Sequence, residues 1–241
     1  MALPDLVWLV RPGDDNEELR YSLRSVARNA DGLFRKVWIV GTVPSWVTGV
    51  EGLPLDPAAE KFANMRQSLA AVVRDRRVAA QIVVFNDDHF VTEPITEWAA
   101  FHLGRTSAYV QHLASIGTTS KRNTWVRAVE NTAEWMRAEG HGDIYCYEAH
   151  TPLLFNRRAL AAALDAYPAD RSLAYPGLYP VAGAAGEGVN AGNSKVVRPG
   201  ELAVKVALPM PYLSSNDASF ADGEVGAHIR AMFPEPSPFE M

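Results

Sequence analysis

Three short apolar segments constrain this chain most: Leu6-Val-Trp-Leu-Val10, Lys36-Val-Trp-Ile-Val-Gly41 and Gln81-Ile-Val-Val-Phe85. They are rich in β-branched and aromatic residues, and turn signals stop them: Pro12-Gly13, Pro44-Ser-Trp46 and Asn86-Asp87-Asp88. Such runs read as strands buried on both faces. Between the first two, Leu19, Leu23, Val26 and Ala27 recur at helical spacing over Glu17 to Asn29, with Glu17 and Glu18 where the helix dipole favours acid. Before the third, Phe62, Met65, Leu69, Val72 and Val73 mark a helix over Lys61 to Arg77, leaving Lys61, Asn64 and Ser68 on another face. Strands alternating with helices predict an α/β fold with a mostly parallel, doubly wound sheet, in which ligands bind beyond the carboxyl ends of the strands.

The second half is less regular. Helices are predicted around Thr124 to Glu139 and Arg157 to Ala166, a short strand at Leu202 to Leu208, and a last helix through Val225, Ile229 and Met232, ended by Pro234-Glu-Pro-Ser-Pro238. The glycine-rich Val181 to Lys195 segment reads as a loop, either plain or a lid. With 241 residues, 48% apolar, and no linker or repeat, one domain is expected. The lone Cys146 rules out an internal disulfide and, with no targeting signal or membrane span in view, favours a cytoplasmic site. A formal charge of -5 argues against bulk electrostatic binding of nucleic acid, so a DNA partner requires a local basic patch.

Chemistry concentrates at Asn86-Asp87-Asp88-His89. Adjacent carboxylates at the end of a buried strand repel each other and lose hydration, so they form either a solvated turn or a site for a cation. Mg²⁺ or Mn²⁺ carrying a diphosphate answers the second case, since such ions take one or two carboxylates and complete their shell with phosphate oxygens. Arg11 and Gly13 close the first strand at the same end, as a phosphate fork with a close-approach glycine or as a surface ion pair. Lys61, Asn64 and Arg66 open the helix before the third strand, facing either the same cleft or solvent. His150, before Thr151-Pro152, is a distant metal ligand or a structural histidine, and His89 competes with it. Zinc spacing, a nucleophile elbow and a Walker loop are missing from the sequence.

Taken in order, Arg11-Pro-Gly-Asp-Asp, Glu18-Leu-Arg-Tyr-Ser-Leu-Arg-Ser-Val26, Val37-Trp-Ile-Val-Gly41, Pro44-Ser-Trp46 and Phe85-Asn-Asp-Asp88 resemble the small glycosyltransferases of actinobacterial phages, including the TET-associated glycosyltransferases. The same segments are similar to the Stealth-type sugar-phosphate transferases. Those normally open on Trp-Val-Asp-Gly and carry Thr-Phe-Asn-Ser before the acidic motif, where this chain has Leu9-Val-Arg-Pro-Gly13 and Lys61-Phe-Ala-Asn-Met65. The resemblance implies a GT-A-like fold, with residues 1–91 binding the nucleotide sugar and 92–241 facing the acceptor. It implies Asp88 as a direct metal ligand, Asn86 and Asp87 at the ribose or donor sugar, His150 as a late ligand, and Arg11 and Asp14 at the nucleoside. The acceptor it implies is a hydroxymethylated pyrimidine in DNA.

The expected activity is thus metal-dependent transfer from a nucleoside diphosphate sugar. Asp217 and Glu148 are the candidate bases, Asp217 being equally consistent with a helix cap. Lys121 and Arg122 beside Trp125 read as an acceptor contact or as a helix start with a buried indole. A non-catalytic sugar-nucleotide-binding module is the reading from a different class.

Overall fold

The computed structural model describes residues 2–11, 15–56, 60–121 and 123–241. Gly13, Asp14 and Arg122 lie outside the described residues. In chain order the elements are β1 (Asp5–Val10), α1 (Glu17–Asn29), β2 (Val37–Gly41), β3 (Glu51–Leu53), α2 (Lys61–Arg74), β4 (Gln81–Asn86), β5 (His89–Val91), β6 (Phe101–His102), α3 (Thr106–Ser115), α4 (Thr124–Ala138), β7 (Leu153–Asn156), α5 (Arg157–Ala166), α6 (Tyr179–Ala182), β8 (Val189–Asn190), α7 (Leu202–Val206), β9 (Tyr212–Ser214), α8 (Asp217–Ala221) and α9 (Glu224–Met232).

The expected α/β architecture is present as a five-stranded sheet ordered β3-β2-β1-β4-β7. The first four strands are parallel and β7 runs antiparallel at the edge beside β4. Apolar residues alternate between two cores. Leu6, Trp8 and Val10 of β1, Ile39 of β2 and Phe85 of β4 pack on the α1 side, while Val7, Trp38, Val40, Ile82 and Val84 meet α2 and α5 on the other. Burial on both faces is why these strands carry apolar residues without a polar alternation.

Strand order reverses at β1, which has β2 on one side and β4 on the other. In open α/β sheets ligands bind beyond the carboxyl ends of the strands at such a reversal, which here are the ends of β1 and β4. The register sets Leu9 beside Asn86, so Arg11 and Asp87 leave the sheet as neighbours. Gly41 ends β2 at the same rim with φ 107, and a Cβ there would collide with the Val10 carbonyl oxygen.

Polar side chains of α1 hold the acidic turn in place. Ser22 Oγ accepts from Trp8 Nε1 (2.9 Å) and donates to the His89 carbonyl (2.6 Å). Ser25 Oγ accepts from the Val91 N–H (3.0 Å), and Asn29 Nδ2 donates to the Val91 carbonyl (2.7 Å). The other edge of β5 pairs with β9. A three-residue strand is thereby saturated from both sides, which fixes the turn that precedes it.

One expectation in the second half is corrected. Residues 202–206 form a short helix rather than a strand, because this stretch pairs with no sheet edge and meets its backbone needs locally, as in Lys205 N–H to the Glu201 carbonyl (3.0 Å). The glycine-rich stretch is mostly loop, as expected, and is pinned at one point: Val189 pairs beside Phe101, and Gly188 at φ 88 sits where a Cβ would strike the Ala100 carbonyl.

Replacing Ser22 with Ala leaves the buried Trp8 Nε1 without its acceptor and frees the His89 carbonyl. Denaturant unfolding should show a loss of about 1–3 kcal/mol. An unchanged midpoint would mean that this hydroxyl does not hold β5.

Candidate functional site

The acidic motif straddles the end of β4: Asn86 closes the strand, Asp87 and Asp88 form the turn, and His89 opens β5. Asp88 is buried at 8% exposure. Its Oδ2 accepts from Lys195 Nζ at 2.8 Å, while its Oδ1 has no hydrogen-bond partner. Burial alone would raise the Asp88 pKa, but Lys195, followed by His89 and His150, outweighs it and holds the carboxyl at about 2. His89 does not serve Oδ1: its Nε2 stands 3.8 Å away, and burial keeps the imidazole neutral with a pKa of about 4.

His150 reaches this locus through an uncommon backbone. At φ 55 its backbone lies in the left-handed region, and strain of this kind is often retained at functional sites. Its Nδ1 is buried without a partner. Burial, then the neighbouring Lys195, hold its pKa down at about 3 against Asp88 and a hydrogen bond to the Glu148 backbone, so the imidazole is neutral at neutral pH. Asp88 and His150, 62 positions apart by their numbers, sense each other electrostatically.

Of seven buried side-chain nitrogen or oxygen atoms without a partner among the described residues, Asp88 Oδ1 and His150 Nδ1 are two, and Ser214 Oγ is a third. Ser214 pairs with His89 across β9 and β5. Native interiors rarely leave polar atoms unsatisfied, so Asp88 Oδ1 and His150 Nδ1 are candidates for contact with water or a ligand.

The donors suit a hard or borderline cation of the Mg²⁺ or Mn²⁺ kind, a carboxylate oxygen and an imidazole nitrogen both being left open. Among the described residues no group of three His, Cys, Asp or Glu side chains forms a metal site. Asp88 and His150 are the two residues there whose side chains could hold such an ion.

Around this pair lies a second, more open charge cluster. Asp87 accepts from Asn16 Nδ2 (2.8 Å) and stands 3.8 Å from Arg11 Nε; burial, then the charge of Asp88, push its pKa up. Arg11 clamps Asp217 with two hydrogen bonds (2.9 and 2.6 Å) and lies 3.5 Å from Glu18. Burial, reinforced by nearby Asp88, Asp87 and Asp217 against the Ser215 hydroxyl, lifts Glu18 to about 7. Arg11 thus gathers three carboxylates just beyond the end of β1, with its side chain still 54% exposed.

The two candidate bases separate. Asp217 is held below the usual carboxylate range by its Arg11 hydrogen bonds, which makes it a poor proton acceptor; Asn216, not Asp217, caps α8. Glu148 accepts from Trp125 Nε1 (2.8 Å) through Oε2 and keeps Oε1 buried and unpartnered. Burial lifts it to about 7, against the pull of Trp125 and Lys61. A carboxyl with that value is matched to proton transfer near neutral pH. Trp125 is accordingly committed to Glu148, and Lys121 beside it is exposed.

Arg66 is a correction. Its guanidinium donates to the carbonyls of Leu164, Tyr167 and Pro168, so it ties α2 to the end of α5 and does not serve the Asp88 locus. Lys61 is exposed at the start of α2, within electrostatic reach of Glu148; Asn64, one turn on, is partly buried. Arg66 also lines a separate groove of about 720 Å³ with Arg74, Arg127 and Arg171, outside the Asp88 locus. Arg74 there is paired with Asp165, and Arg127 donates to the Ser120 carbonyl (3.1 Å).

Sequence reading missed Asn16, Glu18, Lys195 and Ser215 as site residues. Asn16 stands at a helix N-cap, a detectable signal, but its contact with Asp87 spans 71 positions. Nothing local announces that Lys195 reaches Asp88 across 107 positions.

The raised pKa of Glu148 has a definite sign. Between the ordinary 4.5 and about 7 the folded chain keeps a proton that the unfolded chain has released, so this group's contribution to stability falls as pH rises through that window. Glu148→Gln cannot titrate and retains an oxygen for Trp125. Its stability relative to the parent chain should climb by on the order of 2 kcal/mol from pH 4.5 to 7, read by unfolding at each pH. A pH-independent difference would show that Glu148 ionises normally. No protein-family model and no curated protein matches the chain.

Proposed function

We propose that the chain is a metal-dependent, GT-A-like glycosyltransferase that moves a sugar from a nucleoside diphosphate donor to an acceptor hydroxyl. The observation that carries this reading is the pair of open donors, Asp88 Oδ1 and His150 Nδ1, at the switch point of a mostly parallel sheet. The motif resemblance adds the sugar and the acceptor class, a hydroxymethylated pyrimidine in DNA.

A divalent ion bound there supplies charge neutralisation for the leaving diphosphate. The protein's own groups do the remainder. Asp88, with a pKa of about 2, stays ionised, and His150 stays neutral at working pH. Arg11 and Asn16 sit beside Asp87, suited to orienting the donor's polar groups. Glu148 takes the proton of the attacking hydroxyl as the new carbon–oxygen bond forms and the sugar–diphosphate bond breaks. The chain's charge of -5 requires a DNA acceptor to enter along a local basic path.

The test incubates the protein with Mn²⁺, a panel of nucleoside diphosphate sugars and either hydroxymethylated or plain DNA, and identifies the nucleotide released. Nucleoside diphosphate should appear only with modified DNA, and Asp88→Ala should lower kcat/KM by about a hundredfold or more. Nucleoside monophosphate as the product would point instead to sugar-phosphate transfer. Full activity of Asp88→Ala would overturn the metal assignment.

A further inference from the structure

Asp88 and Asp5 are both buried aspartates with a cationic partner, and their completeness differs. Asp5, at the opposite end of β1, receives four hydrogen bonds: two from Arg35, one from Trp38 Nε1 and one from the Ala79 N–H. Asp88 receives one, from Lys195, on a single oxygen. A purely structural counter-ion arrangement is satisfied on both oxygens, as at Asp5. At Asp88 one oxygen is left for something else.

Lys195 is presented with care. The Ser194 N–H donates to the Ala149 carbonyl (3.0 Å) and the Ser194 hydroxyl to the His150 carbonyl (2.6 Å). On the other side the Val196 N–H donates to the Ser214 carbonyl (2.8 Å), and the Lys195 N–H meets Asn193 Oδ1 (2.8 Å). The backbone bearing the ammonium is thus stitched to the strained His150 segment and to β9. Its side chain is 22% exposed, against 11% for that of Asp88, so the lysine is the more accessible member of the pair. An ammonium has three donors, and one of them serves Asp88 Oδ2.

Building on the nucleotide-sugar reading, we infer that Lys195 is the phosphate-receiving cation of the site, binding the donor's diphosphate directly and coupling that binding to the divalent ion through their shared carboxylate, Asp88. The ammonium and the ion are like charges on one aspartate, so Lys195 disfavours the ion alone. A diphosphate that touches both removes the repulsion, and each ligand then strengthens the other by the same factor. The site stays poorly metallated until the donor arrives.

The full chain tests this by binding alone, with Mn²⁺ titrated by electron paramagnetic resonance and inorganic pyrophosphate titrated in EDTA by calorimetry. Lys195→Gln keeps a hydrogen-bond donor for Asp88 and removes the charge; Lys195→Arg keeps the charge. Lys195→Gln should bind pyrophosphate about tenfold more weakly and Mn²⁺ alone several-fold more tightly, while Lys195→Arg retains pyrophosphate binding. Unchanged pyrophosphate affinity in Lys195→Gln, or weaker Mn²⁺ binding, would overturn the inference and leave Lys195 as a prop for Asp88. Wild-type protein that binds Mn²⁺ but no pyrophosphate overturns it as well. A wild type that binds neither separately nor both together defeats the nucleotide-sugar reading, and this inference with it. If Lys195→Gln does not fold, the double variant Asp88→Asn/Lys195→Gln removes the unpaired buried charge and carries the same pyrophosphate comparison against Asp88→Asn.

Discussion

A buried carboxylate that is only half satisfied governs the arrangement of this molecule's candidate site. Removing a charge from water costs several kcal/mol unless partners replace the lost hydration. Asp88 has one partner, Lys195, and an oxygen with none. Its neighbours repeat the pattern: Asp87 and Glu18 are both pushed up in pKa, and Arg11 spans them from an exposed position. The region is electrostatically unfinished, in contrast to the fully bonded Asp5 at the other end of the same strand.

Holding such a site in place is the work of segments far apart in sequence. The helical run Glu18-Leu-Arg-Tyr-Ser-Leu-Arg-Ser25 turns out to be a hub. Glu18 accepts from Ser215, Arg20 lies 4.4 Å over the ring of Trp46, Ser22 and Ser25 grip β5, and Arg24 binds Glu240. The helix thereby joins segments far apart in the chain: it touches the Pro44-Ser-Trp46 turn and the strand that follows the acidic pair. Ser194 ties the Lys195 segment to the strained His150 backbone, so the second half of the chain completes what the first half opens.

Much of the sheet was legible because its central strands advertise burial on both faces. Val7 and Trp8, or Val83 and Val84, are adjacent apolar residues that face different cores. The antiparallel edge strand Leu153–Asn156 and the helix Thr106–Ser115 were not legible, the first being short and the second weakly amphipathic, with only Thr106 and Leu113 buried. Residues 202–206 misled because alternating Leu, Val and Val mimics a strand where no partner edge exists. At the site, Asp88 and His150 were legible by residue type and position after a strand or before a proline. Lys195 was not, since a lone lysine in a glycine-rich stretch carries no sign of a contact that only tertiary topology creates. Arg66 shows the converse, a cation near the expected cleft that the fold spends on backbone carbonyls.

The central claim is that Asp88 Oδ1 and His150 Nδ1 together receive one divalent ion. Electron spin-echo spectroscopy of the protein with Mn²⁺ and pyrophosphate tests it directly, because an imidazole nitrogen bound to the ion modulates the echo. The account predicts nitrogen modulation in the wild type that disappears in His150→Ala. Bound Mn²⁺ without nitrogen modulation, or modulation that survives His150→Ala, would contradict it.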